Sequence, residues 1–207
     1  CSAPSSPASA TCTAAGACTR VRSLFCRARA LAFFHSANSP SADLKPLNAV
    51  RSRDGAWKLI DFDAAADMDA PVGSKSSSAW DPPEMTVEDA RGAISLRVDG
   101  SGHAPLAASP QFDLWSLGVL SFRSLARRPL FNSDDRDNMR DDDELRRLAR
   151  WDARSVAGAA RAVMREMRDH GGASARDQLT AAEMIAWLLQ RDPAQRPQSC
   201  DELLGHA

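Results

Sequence analysis

The chain has 207 residues, 43% hydrophobic and 26% charged, enough to bury one ordinary core and build one domain. Its 26 Lys and Arg stand against 27 Asp and Glu, a net charge of -1, so it has no field that would gather nucleic acid or an anionic membrane. The cysteines at 1, 12, 18, 26 and 200 lack any C-x-x-C spacing and the four histidines lack H-x-x-x-H, which argues against the common zinc sites and for free thiols in a reducing, cytoplasmic setting.

The start lacks Met and lacks a basic segment followed by an apolar core, so it does not read as a signal peptide, and the chain is expected to be a piece of something longer. Residues 1–20 are almost wholly Ala, Ser, Thr, Pro, Cys and Gly, which bury too little to offset their ordering entropy, and disorder is expected there. From Val21 a single domain begins: Leu24, Phe25, Ala28, Leu31, Ala32 and Phe34 recur at helical spacing and predict a helix ending near His35. Apolar runs at 47–51 and 57–62, joined through Asp54-Gly55, predict a β-hairpin whose turn takes positive φ angles. Residues 64–113, rich in Gly, Pro, Ser and Asp, read as mostly loop with a short strand at 94–98.

Helices follow. Residues 114–126 are apolar on nearly every face, as in a helix buried in the middle of a domain, and Arg128-Pro129 ends it. Residues 144–152 and 156–169 are amphipathic, and Thr180 with Glu183, then Ser199 with Glu202, read as capping boxes of two further helices. The acidic run from Asp134 to Glu144 lacks the glycine and ligand spacing of an EF-hand and reads as a solvated loop entering a helix N-terminus. Trp115, Trp151 and Trp187 fall in helical patterns and are expected in the core. No apolar run reaches the roughly 20 residues that span a bilayer.

The chemistry gathers in Asp43-Leu44-Lys45-Pro46-Leu47-Asn48 and, 13 residues after Asn48, Asp61-Phe62-Asp63. Phosphoryl transfer needs one carboxylate facing the attacking hydroxyl, and a second carboxylate with an amide to hold Mg²⁺. Asp43 suits the first task, Asn48 and Asp61 the second, and Lys45 adds a positive charge for the phosphate. In isolation each is an ordinary turn residue; the combination is what points to chemistry.

DLKPLN resembles the catalytic loop of protein kinases and KLIDFD their DFG segment. Downstream, Pro82-Pro83-Glu84 stands where that family has APE, Asp113 to Gly118 resembles the D-x-W-S-x-G opening its central helix, and Asp192 to Pro197 is similar to its D-P-x-x-R-P. The resemblance runs from about Val21 to Ala207. It implies an α+β, mainly α fold, the large C-terminal lobe of a kinase with a small β-hairpin, and no match to the small N-terminal lobe with its Gly-rich loop and strand lysine. It further implies ATP and Mg²⁺ as cofactors, Asp43 and Lys45 as catalytic, Lys45, Asn48 and Asp61 on nucleotide and metal, and a structural Glu84–Arg196 ion pair with a structural Asp113. Ser77 falls where Ser/Thr kinases keep the residue that bonds the catalytic aspartate and lysine, so the implied partners are Ser/Thr protein substrates and the missing lobe.

The departures are equally specific. The family's H-R-D falls on Ser41, Ala42 and Asp43, so a phosphate on the activation segment, residues 61–84, would lack its usual arginine. Asp63 replaces the DFG glycine. Between Glu84 and Asp113 the spacing exceeds what most kinases use, an insertion near the peptide-binding face that could tune substrate choice. The leading expectation is a protein Ser/Thr kinase whose fragment is by itself inactive. Two others stand beside it: a pseudokinase binding module, favoured by Ser41, Ala42 and Asp63, and a small-molecule phosphotransferase, favoured by the D-x-x-x-x-N loop and disfavoured by the W-S-L-G helix.

Overall fold

A computed structural model describes residues 43–72, 77–97, 101–170 and 173–206. The start expected to be disordered, the helix expected to end near His35, the stretch 39–42 and residues 73–76 lie outside the described residues. Within them the fold is mainly helical with two small antiparallel sheets, in keeping with the expected class.

Strand β1, Ala49–Arg51, pairs with β2, Trp57–Leu59, in the register Ala49↔Leu59, Val50↔Lys58 and Arg51↔Trp57. The turn differs from the expected tight dipeptide. Gly55 alone takes a positive φ, +85°, and its N–H closes onto Ser52 O at 2.9 Å. Asp54 instead turns its carboxylate onto the Ser52 hydroxyl and onto Ala56 N at 3.0 Å, and these bonds, the serine's first, hold its carboxyl below the ordinary range.

The segment read as mostly loop contains a second hairpin. β3, Thr86–Glu88, pairs with β4, Ile94–Leu96, around Gly92 at φ +81°. The expected end of β4 at Val98 lies outside the described residues. β3 escapes a pattern reading because three residues are too few to show alternation.

Helix α1, Pro110–Ala126, starts four residues before its expected first residue because Pro110 has φ already set for the first turn. It ends at Arg127 in the left-handed region, φ 54°, just before Arg128-Pro129. Residues 112–122 are all buried, so α1 is the axis of the domain. Around it pack α3, Ala153–His170, and α4, Ala175–Leu188, which also pack on each other. Trp151 meets Trp115 edge-on at 5.5 Å and donates its indole N–H to Leu189 O at 2.8 Å. Trp115 and Trp151 are buried as expected, whereas Trp187 is half-buried with its ring against His206.

Close approach of α1 to the end of α4 depends on Gly118. A Cβ there would sit 2.8 Å from Leu189 Cδ2 and 2.9 Å from Leu188 Cβ, inside contact distance. Gly118→Ala is therefore expected to destabilise the domain by about 1–3 kcal/mol, as overpacking does, despite alanine's better helix propensity. A thermal or denaturant melt checks this, and an unchanged or raised midpoint would mean the interface is loose.

The caps correct one expectation. α4 begins at Ser174, whose hydroxyl accepts from Asp177 N while Asp177 reaches back to Ser174 N, so Thr180 and Glu183 lie inside the helix and form no cap. Both S-x-x-D and T-x-x-E fit the motif; the earlier one caps because N–H groups beyond the first turn already have intrahelical partners. Helix α2, Asp142–Ala149, starts two residues before the expected 144, with Asp141 accepting from Asp143 N and Glu144 N, and it ends three residues short of 152. Asp152 instead caps the start of α3 through Ser155, whose N–H and hydroxyl lower its carboxyl. At α5, Cys200–Gly205, Ser199 caps Glu202 N, and the Glu202 carboxylate accepts from Gln198 N.

Cys200 is 1% exposed, and burial first, then the charges of Asp113 and Asp201, push its thiol up to about 12 from an ordinary 9.0. A raised folded value means its contribution to stability is intact below pH 9.0 and lost as pH rises towards about 12. At pH 8 Cys200 is therefore expected to alkylate only as fast as the domain opens, read by mass spectrometry of its peptide; labelling at the rate of a free thiol would contradict the packing. No helix among the described residues is long and apolar enough to cross a membrane.

Candidate active site

The loop before β1 is shaped by Pro46. Lys45 stays extended, as a residue before proline must, and Pro46–Asn48 makes one 3₁₀ turn closed by Asn48 N to Lys45 O at 3.1 Å. That turn folds Asn48 back onto Asp43. Its side-chain amide donates to Asp43 O at 3.0 Å and to Asp43 Oδ2 at 3.1 Å. Lys45 Nζ lies 2.8 Å from the same Oδ2 and donates to Ser77 Oγ at 2.9 Å. Asp43, Asn48 and Ser77 are buried and Lys45 nearly so.

The two oxygens of Asp43 are thus unequal. Oδ2 is held by an ammonium and an amide, while Oδ1 is buried with no hydrogen-bond partner. A buried carboxylate oxygen left open is costly, and an open acceptor on a fixed anion is what a hydroxyl donor would occupy.

The hairpin brings the backbone that leads into Asp61 alongside. Ile60 N donates to Asn48 O at 2.9 Å, so the chain leaving β2 passes directly beside the end of the 3₁₀ turn, and Asp61 follows. Asp61 is exposed and left-handed at φ 61°, a conformation that costs a non-glycine residue about 1–2 kcal/mol and that persists where surroundings over-determine it. With Nδ2 of Asn48 engaged by Asp43, its Oδ1 is the acceptor left. Asn48 and Asp61 offer an amide and a carboxylate oxygen, the hard donors that suit Mg²⁺. Among the described residues no group of three or more His, Cys, Asp or Glu could hold a metal, so an ion there would take its other ligands from phosphate and water, which is how Mg²⁺ is usually held.

Ser77 is fixed from a distance that local pattern cannot show. It opens the 3₁₀ turn Ser78–Trp80, which is tied to residues 137–139: Ala79 N reaches Asp137 O at 3.2 Å and Met139 N reaches Ser78 Oγ at 2.8 Å. Ser116 of α1 adds a bond to Trp80 O at 2.9 Å. The acidic loop read as merely solvated therefore supports the site, through contacts sixty residues apart in sequence.

Below this, Glu84 and Arg196 form a bidentate pair, both N···O distances 2.7 Å. Arg196 also donates to Gln190 O, Gln111 O and Arg191 O at 2.7–3.0 Å, which uses all five guanidinium N–H groups. Its plane lies over the Trp115 ring, 5.1 Å from the centroid. Asp113 is fully buried in the first turn of α1. Leu47, Val50, Ile60 and Phe62, all on or beside the β1–β2 hairpin, are exposed.

Residues 20–207 match the family model described as the protein kinase domain. An Aurora kinase of Schizosaccharomyces pombe is 31% identical over 112 residues, 52% of this chain and 26% of that protein. The chain spans only part of that relative, about a quarter of its length by the matched share.

Proposed function

The chain belongs to the protein kinase family, and we propose that within its parent protein it is the catalytic lobe that transfers the γ-phosphate of ATP to Ser or Thr hydroxyls of proteins. The observation that carries this reading is the asymmetric Asp43, one oxygen tied to Lys45 and Asn48 and the other buried and open. The exposed apolar side chains of the hairpin support a second body covering that face, the small lobe of the family, since such a cluster is costly to leave in water.

In this reading Asp43 Oδ1 accepts the hydrogen bond of the substrate hydroxyl, orients its oxygen towards the γ-phosphorus and takes up its proton as the new P–O bond forms and the bond from that phosphorus to the departing ADP oxygen breaks. Lys45, fixed by Asp43 and Ser77, holds Oδ2 of Asp43 in place and presents its ammonium to the transferring phosphate. Asn48 and Asp61 would hold Mg²⁺, which supplies neutralising charge for the ATP phosphates. Because Ser77 belongs to the activation segment, docking of a substrate there is linked by one hydrogen bond to Lys45 and by a second link to the acceptor.

The test is to express the longest natural product carrying this chain and ask where phosphate from ATP appears, offering a generic Ser/Thr protein, a tyrosine peptide and free alcohols such as an aminoglycoside. Magnesium-dependent label on Ser or Thr is expected. Binding of Mg-ATP without transfer would replace this reading by the binding module that Ser41, Ala42 and Asp63 suggest, and label on the free alcohol alone would move it to small-molecule phosphotransfer.

A further inference from the structure

The insertion between Glu84 and Asp113 does not stand out from the domain as a free loop. Its return strand pairs with the activation segment: Asp69 N donates to Ala108 O at 3.0 Å, Ala108 N to Ala70 O at 2.8 Å and Val72 N to Leu106 O at 2.7 Å, with an isolated bridge at Pro71↔Ala107. The paired stretches enclose a satellite core separate from the main one. Val72 from the activation segment, Met85 after Glu84, Ala108 from the insertion and Phe112 from α1 are all buried, and Ala66, Leu96 and Leu106 pack on them. Arg97 at the end of β4 fastens the other side, donating to Glu84 O at 3.1 Å and Ala104 O at 3.0 Å, with its backbone N–H on Met85 O at 2.8 Å.

An activation segment that must carry Ser77 to Lys45 needs its path fixed, and ordering a loop costs conformational entropy that some contact must offset. A phosphate paired with arginine is one way to supply that contact. Here Ala42 stands at the position where the resemblance would place that arginine. The backbone pairing and the satellite core supply the contact from within the chain.

We propose that β3–β4 and the return stretch 101–108 are an internal clamp that holds residues 69–72 of the activation segment in place without a phosphate, with Leu106 and Ala108 as the positioning residues. Its relevance to catalysis rests on the kinase reading, but the clamp itself is testable without activity. The clamp makes the placement of residues 69–72 a property of the folded chain, independent of modification.

Amide hydrogen exchange on phosphatase-treated protein decides it. The amides of Asp69, Val72 and Ala108 are expected to be protected before and after phosphatase alike. Leu106→Asp is expected to raise exchange at Asp69 and Val72 by about 10-fold or more while α1 and α3 stay protected, and Leu106→Ile is expected to restore it. Against the case that Leu106→Asp unfolds the chain, Ala108→Pro, which removes one clamp donor and alters no charge, provides the second arm with the same expectation. Unprotected amides in the dephosphorylated wild type, protection that appears only with a phosphate, or a Leu106→Asp protein folded and equally protected would each overturn the clamp. Failure of phosphotransfer with these amides protected would count against the kinase reading alone.

Discussion

Asp43→Asn is expected to lower phosphate transfer by the longest natural product about 10²- to 10⁴-fold, the range that a positioned general base contributes. The side chain keeps its shape, and an amide at 43 can still meet Asn48, but it has no charge to hold Lys45 and no lone pair basic enough to take a proton. Lys45 keeps Ser77 as a partner, and the substitution also removes a desolvated anion whose Oδ1 has no donor. These two changes oppose each other, so the melting temperature should move little while activity collapses. The pattern to look for is a loss in kcat with the nucleotide KM nearly unchanged, because in the proposed reaction Asp43 meets the hydroxyl and not the bound phosphates. Activity within threefold of wild type would remove Asp43 from the reaction and with it the argument built on its open oxygen.

Arg196→Leu should be the most damaging change for stability, by about 3–5 kcal/mol, the usual consequence of removing one partner of a buried pair. The loss is larger than that of a lone salt bridge because the guanidinium also caps three carbonyl oxygens, of Gln111, Gln190 and Arg191. Domains of this size have about 5–15 kcal/mol in hand, so the variant should express poorly and melt early. Arg196→Lys should rescue little, since one ammonium with three donors cannot span Glu84 and three carbonyls. Glu84→Leu combined with Arg196→Leu should cost less than the sum of the two, because no charge is left buried alone. Denaturant melts give all four values, and a cost under about 1 kcal/mol for Arg196→Leu would show that water replaces the guanidinium.

The local geometry of the candidate site was legible because its residues are close in sequence and their types are constrained. Pro46 fixes the turn that folds Asn48 onto Asp43, and a hairpin of about ten residues is enough to bring Asp61 next to Asn48, so local geometry does most of the work. The buried central helix was legible for a similar reason, as its apolar residues cover every face. What was illegible had short or repeated signals. The cap of α4 was assigned to Thr180 because two capping boxes lie in one stretch and pattern cannot say which is reached first. β3 has three residues, below what periodicity can resolve, and the Asp54-Gly55 turn uses one positive φ where two were expected.

The sequence by itself determined the family, the order of the helices, the residues that gather at the loop, and where the chain's buried axis stops, because each of these follows from residue type at short spacing. Only the tertiary structure decided how Ser77 is held, that Arg196 spends every N–H on Glu84 and three carbonyls, and that the insertion pairs with the activation segment. Apart from the Arg196 bonds to Gln190 O and Arg191 O, those contacts join residues 30 to more than 100 positions apart. Apart from Lys45 and Glu84, which the kinase resemblance already paired with Ser77 and Arg196, their partners are backbone groups and buried space, which every residue type offers alike, so no local pattern encodes them and they exist only once the core has closed.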